Sequence, residues 1–145
     1  MNESTNTTEV VHAQGHENVS AAHASTFEVT TDDYLTPAGD CILGIEADRA
    51  PADFAEEFVA ACQHADATIT AHFETEEYVE TVVGRGHPDL TFESDRSAVG
   101  RTSDYVDDRT ILVGAEFAAE GFDRDLVAAL ADGADLTVTL TVERE

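Results

Sequence analysis

The chain repeats itself, and this constrains its fold more than any other feature. Gly15-His16-Glu17-Asn18-Val19 returns as Gly86-His87-Pro88-Asp89-Leu90, 71 positions later. Asp33-Tyr34-Leu35 returns as Asp104-Tyr105-Val106 at the same offset of 71. Cys41 to Ala47 corresponds to Arg109 to Ala115. Phe54, Phe58, Ala61 and Cys62 line up with Phe122, Leu126, Ala129 and Leu130 at 68, and Thr68-Ile69-Thr70 with Thr137-Val138-Thr139 at 69. Small insertions in loops account for the drift.

Local patterning gives each unit its elements. Residues 51–64 carry apolar side chains at i, i+4, i+7 and i+8, one stripe of a helix. Pro51 suits the first turn, and Asp53, Glu56 and Glu57 favour its positive end. Residues 120–131 repeat the pattern, with Gly133 as the stop. Residues 67–73 and 135–142 alternate with period two and are rich in β-branched residues. Residues 17–29 also alternate, with Val19, Ala21, His23, Ser25, Phe27 and Val29 on one face. Strands are further predicted at 77–84 and 89–93.

Each half therefore reads as β-β-β-α-β. One half exposes too much apolar surface to stand alone, whereas two related by a pseudo-twofold axis bury it against each other. The expected fold is a single α+β domain. Its sheet is mixed or mainly antiparallel and able to close into a barrel, with two helices outside or at the ends. The expected organisation is a disordered lead over residues 1–9 and one domain over 10–145. Within that domain the repeats cover about 10–74 and 77–143.

Charge bears on partners. The 145 residues hold 31 acids against seven basic residues, all arginine, for a net charge of -24. With 42% hydrophobic residues, this is not an acidic disordered tail. A charge of this size repels itself at low ionic strength, and near 1 M salt the Debye length falls to about 3 Å and screens it. Acids spread over the whole chain without lysine fit a salt-rich cytosol. They argue against non-specific binding to nucleic acid or to anionic membranes. No apolar run approaches the ~18 residues of a membrane span. Residues 1–9 carry neither the basic nor the apolar region of a secretory signal, so a cytoplasmic location is expected. Cys41 and Cys62 form no metal-type pair and read as small hydrophobes in a reducing compartment.

Four blocks in order resemble an archaeal family known as domain of unknown function 371: GHENVSAAHASTFEVT (Gly15–Thr30), LTPAGDCILGI (Leu35–Ile45), GRGHPDLTF (Gly84–Phe92) and SDYVDDRTILVGA (Ser103–Ala115). The resemblance covers about residues 10 to 142. It implies an archaeal cytosolic protein, and the acidity suggests a haloarchaeal one. It brings no activity, cofactor or catalytic residue with it.

Candidate site residues fall into four clusters: His16, Asn18 and His23; Asp40 with Cys41; Arg85, His87 and Asp89; and Arg101, Ser103, Asp104, Asp107 and Arg109. His16 and His87 are repeat equivalents, so they lie either on opposite sides of the pseudo-twofold or together across it. If together, they form a site for a divalent transition metal with His16, His23, His87 and Asp89 as ligands, and Asp40 or Cys41 as alternatives. No HExxH, CxxC or HxH spacing supports this. The competing reading makes His16 and His87 turn caps and His23 a hydrogen-bonded core residue. Residues 85–109 hold four of the seven arginines. Arg85, Arg101 and Arg109, with Ser103, either grip an anion or pair with neighbouring aspartates. Gly84-Arg85-Gly86 lacks the third glycine and the helix of a dinucleotide fingerprint, and marks a close backbone approach instead.

Three functional classes follow. The first is a metal-assisted or acid/base enzyme for a small anionic metabolite, with His16, His87, Asp40 and Asp104 catalytic and the arginines holding the anion. The second is a non-catalytic RNA- or protein-binding module presenting residues 85–109, with nucleic acid disfavoured by the charge. The third is an assembly subunit pairing through a strand edge.

Overall fold

The computed structural model describes residues 5–144. Eight strands and two helices follow the chain as β1 (Thr5–Gln14), β2 (Thr26–Thr30), β3 (Ile42–Gly44), α1 (Glu56–Cys62), β4 (Thr68–Glu74), β5 (Val79–Arg85), β6 (Ser97–Arg101), β7 (Thr110–Leu112), α2 (Arg124–Ala131) and β8 (Asp135–Arg144). They form two four-stranded sheets, one ordered β1-β8-β4-β5 and the other β3-β2-β6-β7. The first is antiparallel throughout. In the second, β2 and β6 pair antiparallel while β3 and β7 add parallel edges. The pseudo-twofold passes between β8 and β4 in one sheet and between β2 and β6 in the other.

The repeats are interleaved. β1 of the first pairs with β8 of the second, and β5 of the second pairs with β4 of the first. Each repeat thus completes the other's sheet edge. The sheets do not close into the barrel that the sequence allowed: between them, pairing reduces to one isolated bridge at each seam, Gln14–Ile45 and Arg85–Val113. The core lies between the sheets, where Phe27 meets Phe73 and Phe122 with ring centroids 5.6 Å apart in each pair. Phe54, Phe58 and Phe92 form a second cluster at 5.5–6.0 Å. Each buried ring contributes roughly 2–3 kcal/mol.

Several elements depart from expectation. Residues 1–4 lie outside the described residues, but Thr5–Glu9 belong to β1 rather than to a disordered lead. The strand expected over 17–29 survives as 26–30 alone, because Ala21 takes φ +48°, incompatible with extended backbone. Its repeat equivalent Phe92, at φ +53°, likewise breaks the strand expected at 89–93. Val19, Ala21, Leu90 and Phe92 are buried all the same, as loop residues folded onto the core. Each predicted helix divides into a 3-10 turn, Pro51–Asp53 or Ala119–Gly121, followed by α1 or α2. Gly133 ends α2 with φ +90°.

The closing strands align at 67 rather than 69. The Gly15 N–H donates to Ala134 O, and its equivalent, the Gly86 N–H, donates to Ala67 O. The segment between helix and strand is one residue shorter in the second repeat. Both glycines sit where a Cβ would strike a helix-end carbonyl, of Leu130 for Gly15 and of Cys62 for Gly86.

Candidate functional site

The histidines sit where the repeats turn. His16 Nδ1 accepts the Asn18 N–H at 3.0 Å, and His87 Nδ1 accepts the Asp89 N–H at 3.0 Å. His23 Nδ1 accepts the N–H groups of Ser25 and Thr26 at 3.2 and 3.1 Å. Its repeat equivalent Ser94 does the same through Oγ, toward Arg96 and Ser97 at 3.1 and 3.2 Å. His23 is therefore a half-buried turn residue, not one of the inward face of a strand. All three rings spend Nδ1 on backbone.

His16 and His87 do not meet. Gly15 adjoins the residue before β8, and Gly86 the residue before β4. These strands run antiparallel with Thr68 opposite Glu143, so the two histidine-bearing turns lie about 30 Å apart along the sheet at 3.3 Å per residue. Among the described residues, no group of three or more His, Cys, Asp or Glu side chains is arranged to hold a metal ion. Asp40 contributes its carbonyl, which accepts the N–H groups of Ala22 and His23 at 2.9 and 3.2 Å. The Cys41 thiol donates to Glu28 at 3.4 Å; burial, then the Glu28 charge, pushes it up to about 11. Burial alone pushes the Cys62 thiol up to about 12. Neither is poised as a thiolate nucleophile.

The arginines expected to grip an anion mostly have partners. Arg101 reaches Asp107 at 3.0 Å and Thr110 Oγ1 at 2.9 Å, and its guanidinium lies 4.8 Å from the Tyr105 ring centroid. Arg109 reaches the same Asp107 oxygen at 3.2 Å. Partial burial pushes the Asp107 carboxyl up. The N–H and guanidinium of Arg109, with Arg101 and the Thr110 hydroxyl, more than offset this and take it down to about 2. Ser103 Oγ accepts the Tyr105 N–H at 3.3 Å. Arg85 is exposed and, among the described residues, its guanidinium has no hydrogen-bond partner.

The structure brings the third and fourth clusters together within the second repeat. Loop 87–93 faces loop 104–108 across an open cleft of about 360 Å³, lined by His87, Asp89, Thr91, Glu93, Asp104, Val106, Asp107 and Asp108. Asp107 is tied to the arginines, while Asp89 and Asp104 are exposed and Val106 is the one apolar wall. In the first repeat, Asn18 Nδ2 donates to Leu35 O at 2.7 Å and ties the equivalent loops together. Asp89 replaces that amide, and a carboxylate has no proton to give Val106 O. A larger depression of about 610 Å³, at the β4–β5 turn and the start of β8, is lined by carboxylates, threonines and small residues, without histidine or arginine.

Sequence reasoning missed Thr91 and Glu93, which look like ordinary polar loop residues until the loops face each other, and took Asp108 only as a partner for the arginines. It also missed Glu9 and Glu80. Glu9 Oε2 accepts the N–H of Ala55, the N-cap of α1, at 2.7 Å; Glu80 Oε1 accepts that of Asp123, the N-cap of α2, at 2.8 Å. The offset of 71 that matches His16 to His87 also matches these glutamates.

Residues 11–143 match the family described as Domain of unknown function (DUF371). An uncharacterised protein of the archaeon Methanocaldococcus jannaschii is 39% identical over 133 residues, covering 92% of this chain and 98% of that protein. The chain belongs to the DUF371 family.

Proposed function

We propose that this DUF371 protein is a non-catalytic binding module, and that the cleft of its second repeat receives basic side chains of a partner protein. One observation carries the reading: the segment 85–109 spends Arg101 and Arg109 on Asp107, and the cleft it lines carries carboxylates and no arginine. An anionic metabolite or RNA phosphate entering there meets Asp89, Glu93, Asp104 and Asp108 before any free guanidinium. Small-molecule pockets of this size are mostly apolar, and this one is not. Charge-assisted hydrogen bonds to guanidinium or ammonium groups suit such a lining.

The metal-assisted acid/base enzyme loses its geometric basis, since His16 and His87 are about 30 Å apart along the sheet. The same proposal takes a haloarchaeal, salt-rich cytosol as the protein's setting. Its support is the 31 acids, the absence of lysine and the archaeal relative. No helix among the described residues is long and apolar enough to cross a membrane.

The test is an amide chemical-shift titration of the full chain in about 1 M KCl, where a Debye length of about 3 Å leaves contact pairs and little else. The probes are a blocked tri-arginine peptide and, separately, potassium phosphate. The peptide shifts amides of 87–93 and 104–108, and Asp89→Asn with Asp104→Asn weakens it about 10-fold. Phosphate moving those amides instead, or peptide shifts spread evenly over the surface, refutes the reading.

A further inference from the structure

The antiparallel sheet turns one face to the core, and its other face breaks the charge rule of the whole chain. In register across β1, β8, β4 and β5, the central row is Val10, Thr139, His72 and Thr81. The rows on either side complete twelve positions, of which one, Glu74, is a carboxylate; the others are threonine, valine and histidine. In a chain with 31 acids among 145 residues, a sheet face this poor in charge is out of character. The pseudo-twofold passes through the central row, relating Val10 to Thr81 and Thr139 to His72.

We propose that this face is the contact through which two copies of the chain pair. Two bodies each carrying -24 approach at least cost where each presents the fewest carboxylates, and here that surface is also self-matching because it carries the internal axis. The size is adequate. With strands about 4.8 Å apart, the described outward positions, four on β1, five on β8 and four each on β4 and β5, cover roughly 550 Å² as a plane, and more with side-chain relief. A standard interface takes about 800 Å² per partner.

The rim supplies a second observation. Arg85, the arginine without a partner among the described residues, lies four positions after Thr81 on β5, and Glu77 lies four before it. Glu77 belongs to the β4–β5 turn rather than to β5, so a twofold along the central row brings the Arg85 end of each copy's β5 to the other's turn, which carries Glu76 and Glu77. The same axis opposes Asp135 and Glu143, but at the open rim, where multimolar salt screens them.

The experiment is light-scattering mass of the full chain in multimolar KCl, up to millimolar protein, for wild type and Thr139→Glu. The expected wild-type mass is twice 15.5 kDa, and Thr139→Glu raises the dissociation constant by at least ~100-fold, returning the single-chain mass. Thr81→Glu, on the edge strand β5, gives the same loss and decides the matter if Thr139→Glu does not fold. Wild type that stays at 15.5 kDa overturns the proposal, as does a folded Thr139→Glu or Thr81→Glu that stays dimeric.

Discussion

Asp107 ties more of the second repeat together than any other side chain of the four clusters. Its carboxylate takes the Arg109 N–H at 3.0 Å, the Thr110 hydroxyl at 3.1 Å and both guanidinium groups. Because its folded pKa, about 2, lies below the unfolded value near 3.8, the unfolded chain binds more protons in that interval. Its stabilisation is thus present above about pH 4 and lost as pH falls toward 2. Asp107→Asn should cost about 2 kcal/mol at neutral pH, the scale of a hydrogen bond to a charged group. In thermal melts from pH 6 down to 2.5, the gap between the variant and wild type should close below about pH 4. A gap that persists unchanged would mean that Asp107 is not ionised in the fold.

Helix ends show how duplicated elements diverge. Glu9 and Glu80 each receive a helix N-cap N–H, but their surroundings differ. Glu9 is buried at 7% exposure and also pairs at 2.6 Å with Arg49, whose place in the second repeat is taken by Phe117. Arg49 lies 5.3 Å from the Phe54 ring centroid, where Phe117 instead packs edge-on against Phe122 at 5.6 Å. Glu80→Ala loses one capping bond and should cost about 1 kcal/mol. Glu9→Ala also removes the ion pair of Arg49, which keeps only the carbonyls of Val10 and Asp53, and should cost about 2 kcal/mol. Denaturant unfolding of both variants checks this, and equal costs would contradict it. The strand edges are managed in parallel: Asp48 closes β1 at His12, and Glu116 closes β5 at Val83, each through a backbone and a side-chain bond.

At the scale of the whole molecule, charge and core oppose each other. Most arginines are matched to carboxylates, Arg96 to Asp32 at 2.7 Å and Arg144 to Asp66 at 3.0 Å, which leaves the excess acid unpaired on the surface. Lowering KCl from multimolar to about 0.1 M lengthens the Debye length from about 3 to 10 Å and exposes the fold to its own repulsion. The melting temperature should fall by about 10 °C or more across that range. A melting temperature indifferent to KCl would separate the acidity from any salt-rich setting.

Periodicity made the helices, the closing strands and the duplication legible, because apolar spacing depends on local geometry that a single segment contains. Alternation misled at residues 17–25, where Ala21 enters the left-handed region and the loop buries its apolar residues without forming strand. The equivalence of His16 and His87 was written in the sequence, but their separation was not. That depended on β4 and β8 running antiparallel, which carries equivalent loops to opposite ends of the sheet. The same holds for the cleft. Asn18 and Asp89 are readable as equivalents, yet one closes a loop pair and the other leaves it open through a contact with a residue 17 positions away. The repeat, the element types and the charge were all readable from the chain, since they are properties of segments or sums. The interleaving of the repeats, the partners of the arginines and the charge-poor sheet face were not, because these arise from which distant strands lie side by side.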